Sequence, residues 1–212
     1  MLKLDHLTVI APSLGEGAAH VRDCLDIDVP FGTRHLYMGT HNHRLQLGGR
    51  VYLEIVALDP AGTAPARARW FGLDNAAKVR ADWEAGRRLR GWVANTANIE
   101  ALIAARGAIF GEAVPLPTGD PSFAFAIPVD GSLPLDGGAP SVIDHKDDPT
   151  SMEEIPDLGA RLRSFTLAHP DPDAIAALYR TLAIDRPPVL VPGSELRYSA
   201  EIETAAGPKT LT

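Results

Sequence analysis

A strand-like run leading directly into a capped amphipathic helix occurs three times in this chain, and that recurrence limits the possible folds more than any other feature. LDHLTVIAP (Leu4 to Pro12) runs into SLGEGAAHVRDCLDID, where Ser13 caps a helix, Glu16 completes a capping box, and Leu14, Ala18, Val21 and Leu25 form one stripe. LRGWVANTA (Leu89 to Ala97) runs into NIEALIAARG, with Asn98 as cap, Ile99, Leu102 and Ile103 as the apolar face and Gly107 as the stop. LRSFTLAHP (Leu162 to Pro170) runs into DPDAIAALYRTLAID, where Asp171 caps, Pro172 suits the first helical position, and Ile175, Leu178 and Leu182 line up. Short strand-like runs broken by Gly, Pro and Asp follow each unit: RHLYMGTH, HRLQLGG and RVYLEIVA; then SFAFAIPV and APSVIDH; then PVLV, LRYSAEIET and PKTLT. Several strands with one helix per unit predict an α+β sheet covered by helices on one face and open to a small molecule on the other. The whole of 1–212 reads as one region with modules near 1–60, 89–149 and 162–212. Residues 61–88 form a linker that begins AGTAPARA and passes into a helix over KVRADWEAGRRL.

Charge narrows the partners. A net charge of −7 and a pI near 5.4 argue against a nucleic-acid surface, which needs clustered Lys and Arg; RRLR (Arg87 to Arg90) is the one short basic run. No stretch approaches the roughly 18 uninterrupted apolar residues of a membrane span, and MLKLDHLTVIA lacks the apolar core and cleavage site of a signal peptide, so a soluble, cytoplasmic protein is expected. The single cysteine, Cys24, has no partner for an internal disulfide and reads as a small core residue.

A lone carboxylate interrupts the apolar run VYLEIVA. Strand side chains alternate faces, so Val51, Leu53, Ile55 and Ala57 share one apolar face while Tyr52, Glu54 and Val56 share the other. The first strand divides the same way: Leu7 and Val9 join the helix-side core, and His6 and Thr8 turn to the side of Glu54. An imidazole and a carboxylate on one sheet face are two good ligands for a divalent metal, and equally a proton-transfer pair or an ordinary hydrogen-bonded pair. In THNHRLQL the even positions read Asn42, Arg44 and Gln46, polar enough to touch a substrate, with His41 at the rim or in a turn. His43 continues the odd face toward two leucines. His20 falls between stripe positions and is expected in solvent, His35 lies at a loop-to-strand junction, and His169 precedes Pro170 in a turn. No GxSxG elbow, HExxH helix or phosphate-binding glycine loop is present.

LDHLTVIAPSL, MGTHNHRLQLGG, YLEIVALDP, RWFGLD, LRGWVANTANIEAL and a D-D-P segment followed by LRSFTLAHPDPDAIAALYRTL together resemble the glyoxalase-like proteins of the vicinal oxygen chelate superfamily. The resemblance implies tandem βαβββ modules whose mixed sheet curls into a cup with helices on the convex face. It implies a dimer as one way for modules to pair, and a third unit that adds to or completes the other two. In metal-using members a first-strand His and a last-strand Glu bind a divalent ion with a matching pair from the partner module. His6 and Glu54 occupy the first pair here, with Glu54 the expected catalytic group. The first-strand His of the second pair is missing, since Gly91 or Trp92 of the second unit and Ser164 of the third stand opposite His6; Asp144 with His145, Glu201 or Glu203 are the nearest late-strand groups, and Asp144, His145 or His41 would complete a site for Zn, Ni, Fe or Mn. Three readings follow: a metal-dependent lyase, isomerase or dioxygenase on a vicinal-oxygen substrate; a metal-free cup that binds an apolar or aromatic small molecule, as drug-sequestering members do, lined by Trp70, Phe71, Trp92, Phe123 and Phe125; or a regulatory module that kept the fold alone. His41, Asn42, Arg44 and Trp92 are the expected substrate contacts.

Overall fold

Caps legible in the sequence set the helix starts in the computed structural model, which describes residues 1–117, 119–146 and 154–212. Helix α1 (Leu14–Leu25) begins where Ser13 Oγ accepts the Glu16 N–H at 3.2 Å and ends at Asp26, whose φ of 58° is left-handed. Asn75, Asn98 and Asp171 cap α2 (Ala76–Glu84), α3 (Ile99–Phe110) and α4 (Pro172–Thr181) in the same way. Helix α3 does not stop at Gly107. It kinks at Arg106 and ends before Gly111, whose φ of 79° and absent side chain are both required, because a Cβ there would stand 2.1 Å from the Ile127 carbonyl oxygen.

The first module comprises β1 (Leu2–Ile10), α1, β2 (Phe31–His35), β3 (Thr40–Gln46) and β4 (Tyr52–Leu58); the second comprises β5 (Leu89–Asn95), α3, β6 (Glu112–Leu116), β7 (Phe123–Ile127) and β8 (Ser141–Asp144). RHLYMGTH is therefore not one strand. β2 stops at His35 and the chain turns through Gly39, at φ 61°, before β3. Each module closes with its last strand parallel to its first, and the two join antiparallel along β1 and β5 in the order β2-β3-β4-β1-β5-β8-β7-β6. The result is a curled half-barrel, an α+β fold of the cupped type.

The third unit is not a third copy. Its strands β9 (Arg161–His169), β11 (Val189–Pro192), β12 (Arg197–Thr204) and β13 (Gly207–Leu211) form a separate sheet, β11-β9-β12-β13, while β10 (Ile184–Asp185) joins the edge of β1. This sheet backs the convex side of the cup, where Tyr198 and Tyr179 donate their hydroxyls to the Gly137 and Gly138 carbonyls at 2.6 and 2.7 Å. β13 also packs on α1, so His20 is buried rather than solvent-exposed and its Nε2 lies 2.8 Å from the Thr212 carbonyl oxygen.

Strand alternation sends two sets of side chains to two cores. Leu7, Val9, Leu53, Ile55 and Trp92 lie under the helices and the second sheet, whereas Ile10, Val56, Val93, Trp70 and Phe125 pack inside the cup. Each fully buried aliphatic side chain contributes about 1.5–3 kcal/mol, so the apolar faces fix the register of β1 and β4. That register in turn fixes which way the polar residues between them point.

Candidate functional site

His6 and Glu54 meet on the concave face. The parallel register sets Thr8 beside Glu54 and His6 beside Tyr52, and His6 Nε2 lies 3.4 Å from Glu54 Oε2 with both side chains buried. The His6 ring stacks on Tyr52 at 4.4 Å and 24°. Its Nδ1 donates to Asp5 Oδ1 at 2.7 Å. Neighbouring residues on a regular strand face opposite ways, but β1 carries a bulge: Leu4 pairs with Ala94 and His6 with Val93, which leaves Asp5 as the extra residue. The bulge turns the Asp5 carboxylate back to the ring. Asp5 Oδ2 accepts from His145 Nε2 and Asn95 Nδ2, each at 3.0 Å.

Burial opposes charge on all three groups, and the hydrogen bonds overcome it. For His6, desolvation is outweighed by Asp5 and Glu54, and its pKa rises to about 9. For Glu54, desolvation is outweighed by His6, His35 and Asn42, and its pKa falls. For Asp5, desolvation is outweighed by His145 and His6, which hold the carboxyl well below its ordinary range. At neutral pH the cluster is an imidazolium between two carboxylates.

His6 and Glu54 form one wall of a cavity of about 270 Å³, whose lining also includes Asn42, Arg44, His145 and the aromatic residues Tyr37, Trp70, Phe71, Phe123 and Phe125. Asn42 Nδ2 donates to Glu54 Oε1 at 2.7 Å while its Oδ1 accepts the Thr33 N–H at 2.8 Å. Gly32 makes room for this, since a Cβ there would lie 2.3 Å from Asn42 Oδ1 and 2.9 Å from Arg44 Nε. Phe71 holds a left-handed φ of 61°, a conformation that costs a bulky residue on the order of 1–3 kcal/mol and is retained where its ring packs on Trp70 and Phe125.

Several expected site residues lie elsewhere. Trp92 points to the convex core, because Gly91 and Val93 take the concave positions on β5; its ring meets Phe165 and Tyr179 at 6.2 and 6.0 Å. Asp144 follows the concave Ile143 and so faces away, where it accepts the N–H of Ile99 at the start of α3 and of Lys146. His41 lies on the odd face of β3, 4.0 Å from Asp59 Oδ1, outside the cavity. The D-D-P segment lies outside the described residues. Conversely, Thr33, His35 and Tyr37 line the cavity although nothing chemical was expected near His35, whose Nδ1 is 3.0 Å from Thr40 Oγ1. Burial depresses the His35 pKa to about 4, which keeps its ring neutral. Period-two reading of FGTRH, which puts Thr33 and His35 on one face, was the available signal.

A divalent ion held by the protein alone requires three or four converging donors. His6 Nε2 and Glu54 Oε2 supply two. Aligning the caps Ser13 and Asn98 sets Gly91 against His6; because Thr8 pairs with Glu54 and Val93 with Ser141, it sets Ser141 against Glu54. The second module thus offers no imidazole or carboxylate at the matching positions, and His145 is engaged by Asp5. Among the described residues no three His, Cys, Asp or Glu side chains converge as a metal site. Among the described residues the donor set does not fit a four-ligand divalent ion.

The sequence matches the family described as glyoxalase-like domain over residues 4–183. No curated protein matches it. Among solved structures, a hypothetical protein from Staphylococcus aureus aligns with a TM-score of 0.58 at 11% identity, covering 93% of this chain and 88% of that one. A variant of Streptomyces coelicolor methylmalonyl-CoA epimerase in complex with 2-nitronate-propionyl-CoA aligns with a TM-score of 0.38 at 16% identity, covering 68% and 95%. The first likeness bears on the fold alone, and the second is too weak to carry an argument. No helix among the described residues is long and apolar enough to cross a membrane.

Proposed function

Because this chain belongs to the glyoxalase-like domain family of the vicinal oxygen chelate superfamily, we propose that its cup binds a small carbonyl compound and moves a proton between carbon and oxygen. The observation that carries this reading is the buried pair His6 Nε2 and Glu54 Oε2, 3.4 Å apart on the wall of an aromatic cavity. At neutral pH Glu54 is ionised and His6 charged, the forms a base and an acid need. Glu54 takes a proton from the carbon next to a carbonyl, the C–H electron pair becomes the new C=C bond, and His6 gives its Nε2 proton to the carbonyl oxygen. The product is the enol, with Glu54 protonated and His6 neutral. One proton hop across the gap from Glu54 to His6 restores the pair.

Asp5 holds His6 by Nδ1 and Asn42 holds Glu54 by Oε1, so neither side chain has to reorganise during transfer. The interactions that keep Glu54 ionised also make it a weak base. The chemistry is therefore confined to carbon acids already activated by neighbouring carbonyls, such as 2-oxo acids and 1,2-diketones.

Deuterium uptake next to the carbonyl of phenylpyruvate and 2,3-butanedione, followed by NMR in heavy water, tests this. The protein should accelerate uptake in the presence of chelator, and Glu54→Gln and His6→Ala should each slow it by at least about 100-fold. Uptake at the buffer rate overturns the proposal. So does elemental analysis that finds stoichiometric metal in the parent protein and none in the two variants.

A further inference from the structure

The proton-transfer pair says nothing about what holds the substrate, but two cavity residues do. Among the described residues, only two buried polar side-chain atoms without a hydrogen-bond partner belong to residues lining this cavity: Arg44 Nε and Trp70 Nε1. Trp70 is buried, 5% exposed, and no protein group accepts from its indole N–H among the described residues. Arg44 differs from the chain's other arginines with an unpartnered Nε. Arg67 pairs with Glu112, Arg87 with Asp82, and Arg88 with His20, whereas the Arg44 guanidinium makes no ion pair or side-chain hydrogen bond among the described residues. Its cross-strand neighbour is Glu54, which would ordinarily neutralise it. Glu54 is committed elsewhere, one oxygen to Asn42 and the other to His6. Glu154, exposed at the cavity edge, is not within ion-pair distance either.

A buried donor left without an acceptor is destabilising, and an arginine fork matches the two oxygens of a carboxylate. Tyr37, Trp70, Phe71, Phe123 and Phe125 present ring faces and edges to the same space, which suits a flat apolar body. We infer that the cavity takes a small aromatic carboxylate, its anionic group held by Arg44 and the Trp70 indole N–H and its ring among the five aromatic side chains. This names a substrate class for the proton-transfer reading and rests on it for the chemistry, though not for binding. A 2-oxo acid then reaches Glu54 with its carboxylate gripped one strand away.

Calorimetric titration with benzoate and its uncharged isostere benzamide tests the inference apart from turnover, because neither compound has a C–H on the carbon next to its carbonyl. Benzoate should bind at least about tenfold more tightly than benzamide. Arg44→Met should abolish that preference by weakening benzoate far more than benzamide, and Trp70→Phe, which keeps the ring and loses the N–H, should weaken benzoate about fivefold. Glu54→Gln should retain benzoate binding while losing deuterium uptake. Equal affinity for the two probes, or undiminished benzoate binding by folded Arg44→Met, overturns the inference. If Arg44→Met does not fold, the parent preference and Trp70→Phe decide the matter. Benzoate binding without deuterium uptake would sink the chemistry and spare the ligand class; uptake with 2,3-butanedione but no benzoate binding would do the reverse.

Discussion

His145 Nε2 lies 3.0 Å from Asp5 Oδ2, so a side chain of the second module clamps the carboxylate that aims His6 in the first. The seam between β1 and β5 thus also orders the polar cluster. The bulge that frees Asp5 from strand alternation lies on that seam, and Asn95 of β5 adds a second hold on the same oxygen. Asp5 is thus held from the second module, although His6 and Glu54 both come from the first.

Replacing Asp5 with Asn tests how far this clamp sets the charge of His6. The variant keeps the shape and loses the anion, so the His6 pKa should fall from about 9 toward its ordinary 6.5. An NMR titration of the imidazole nitrogens between pH 5 and 10 reads it directly. Deuterium uptake at pH 8 should fall with it, since less His6 carries a proton to give. An unmoved His6 titration would remove Asp5 from the mechanism.

Stability should follow pH with a sign set by the same groups. His6 has a raised folded pKa, so its contribution is complete below about 6.5 and is lost as pH rises through about 9. Asp5 and Glu54 have lowered pKa values, so their contributions are present above their ordinary 3.8 and 4.5 and are lost on acidification through the folded values. The melting temperature should peak between these limits and fall by about 5–10 °C from pH 6 to pH 10. In His6→Gln the alkaline fall should shrink; an unchanged alkaline limb in that variant would assign it to other groups.

Much of this was legible because it follows from period two. The division of VYLEIVA and LDHLTVI into apolar and polar faces placed Glu54 and His6 on the cavity side, and the even face of THNHRLQ placed Asn42 and Arg44 there. The errors have local causes. Trp92 and Asp144 were assigned to the cup by residue type, when their concave neighbours Val93 and Ile143 had already decided their faces. Asp5 was invisible because a bulge breaks the alternation that sequence reading assumes. The third unit repeats the strand-and-helix pattern of the others, yet no local pattern encodes that β9 pairs with β12 rather than continuing the cup. His20 was misplaced for a similar reason, since the strand that buries it comes from the far end of the chain.

Gly32→Ala should injure the site more than the fold. The backbone at Gly32 does not require glycine, but a methyl group there meets Asn42 Oδ1 and Arg44 Nε. Asn42 is held at both ends, by the Thr33 N–H and by Glu54, and cannot yield without releasing the carboxylate. Benzoate affinity and deuterium uptake should each drop at least tenfold, roughly the value of one charge-assisted hydrogen bond, for a stability loss of about 1–2 kcal/mol. Denaturant melts alongside both assays separate the effects; equal and small losses everywhere would mean that the pocket adapts.

Trp70 and Trp92 make a paired control. Both carry an unpartnered indole nitrogen, but Trp70 lines the cavity while Trp92 packs under the second sheet against Phe165 and Tyr179. Trp92→Leu removes ring volume from a site sealed on both sides and should cost about 2–4 kcal/mol, with benzoate affinity unchanged in the protein that remains folded. Trp70→Phe should do the opposite, with little loss of stability and a clear loss of benzoate affinity. Chemical denaturation and calorimetry on the same two variants decide it. If Trp92→Leu loses the ligand as completely as Trp70→Phe, the convex face is coupled to the cup more tightly than two separate cores allow, and the assignment of the cavity as a self-contained site fails.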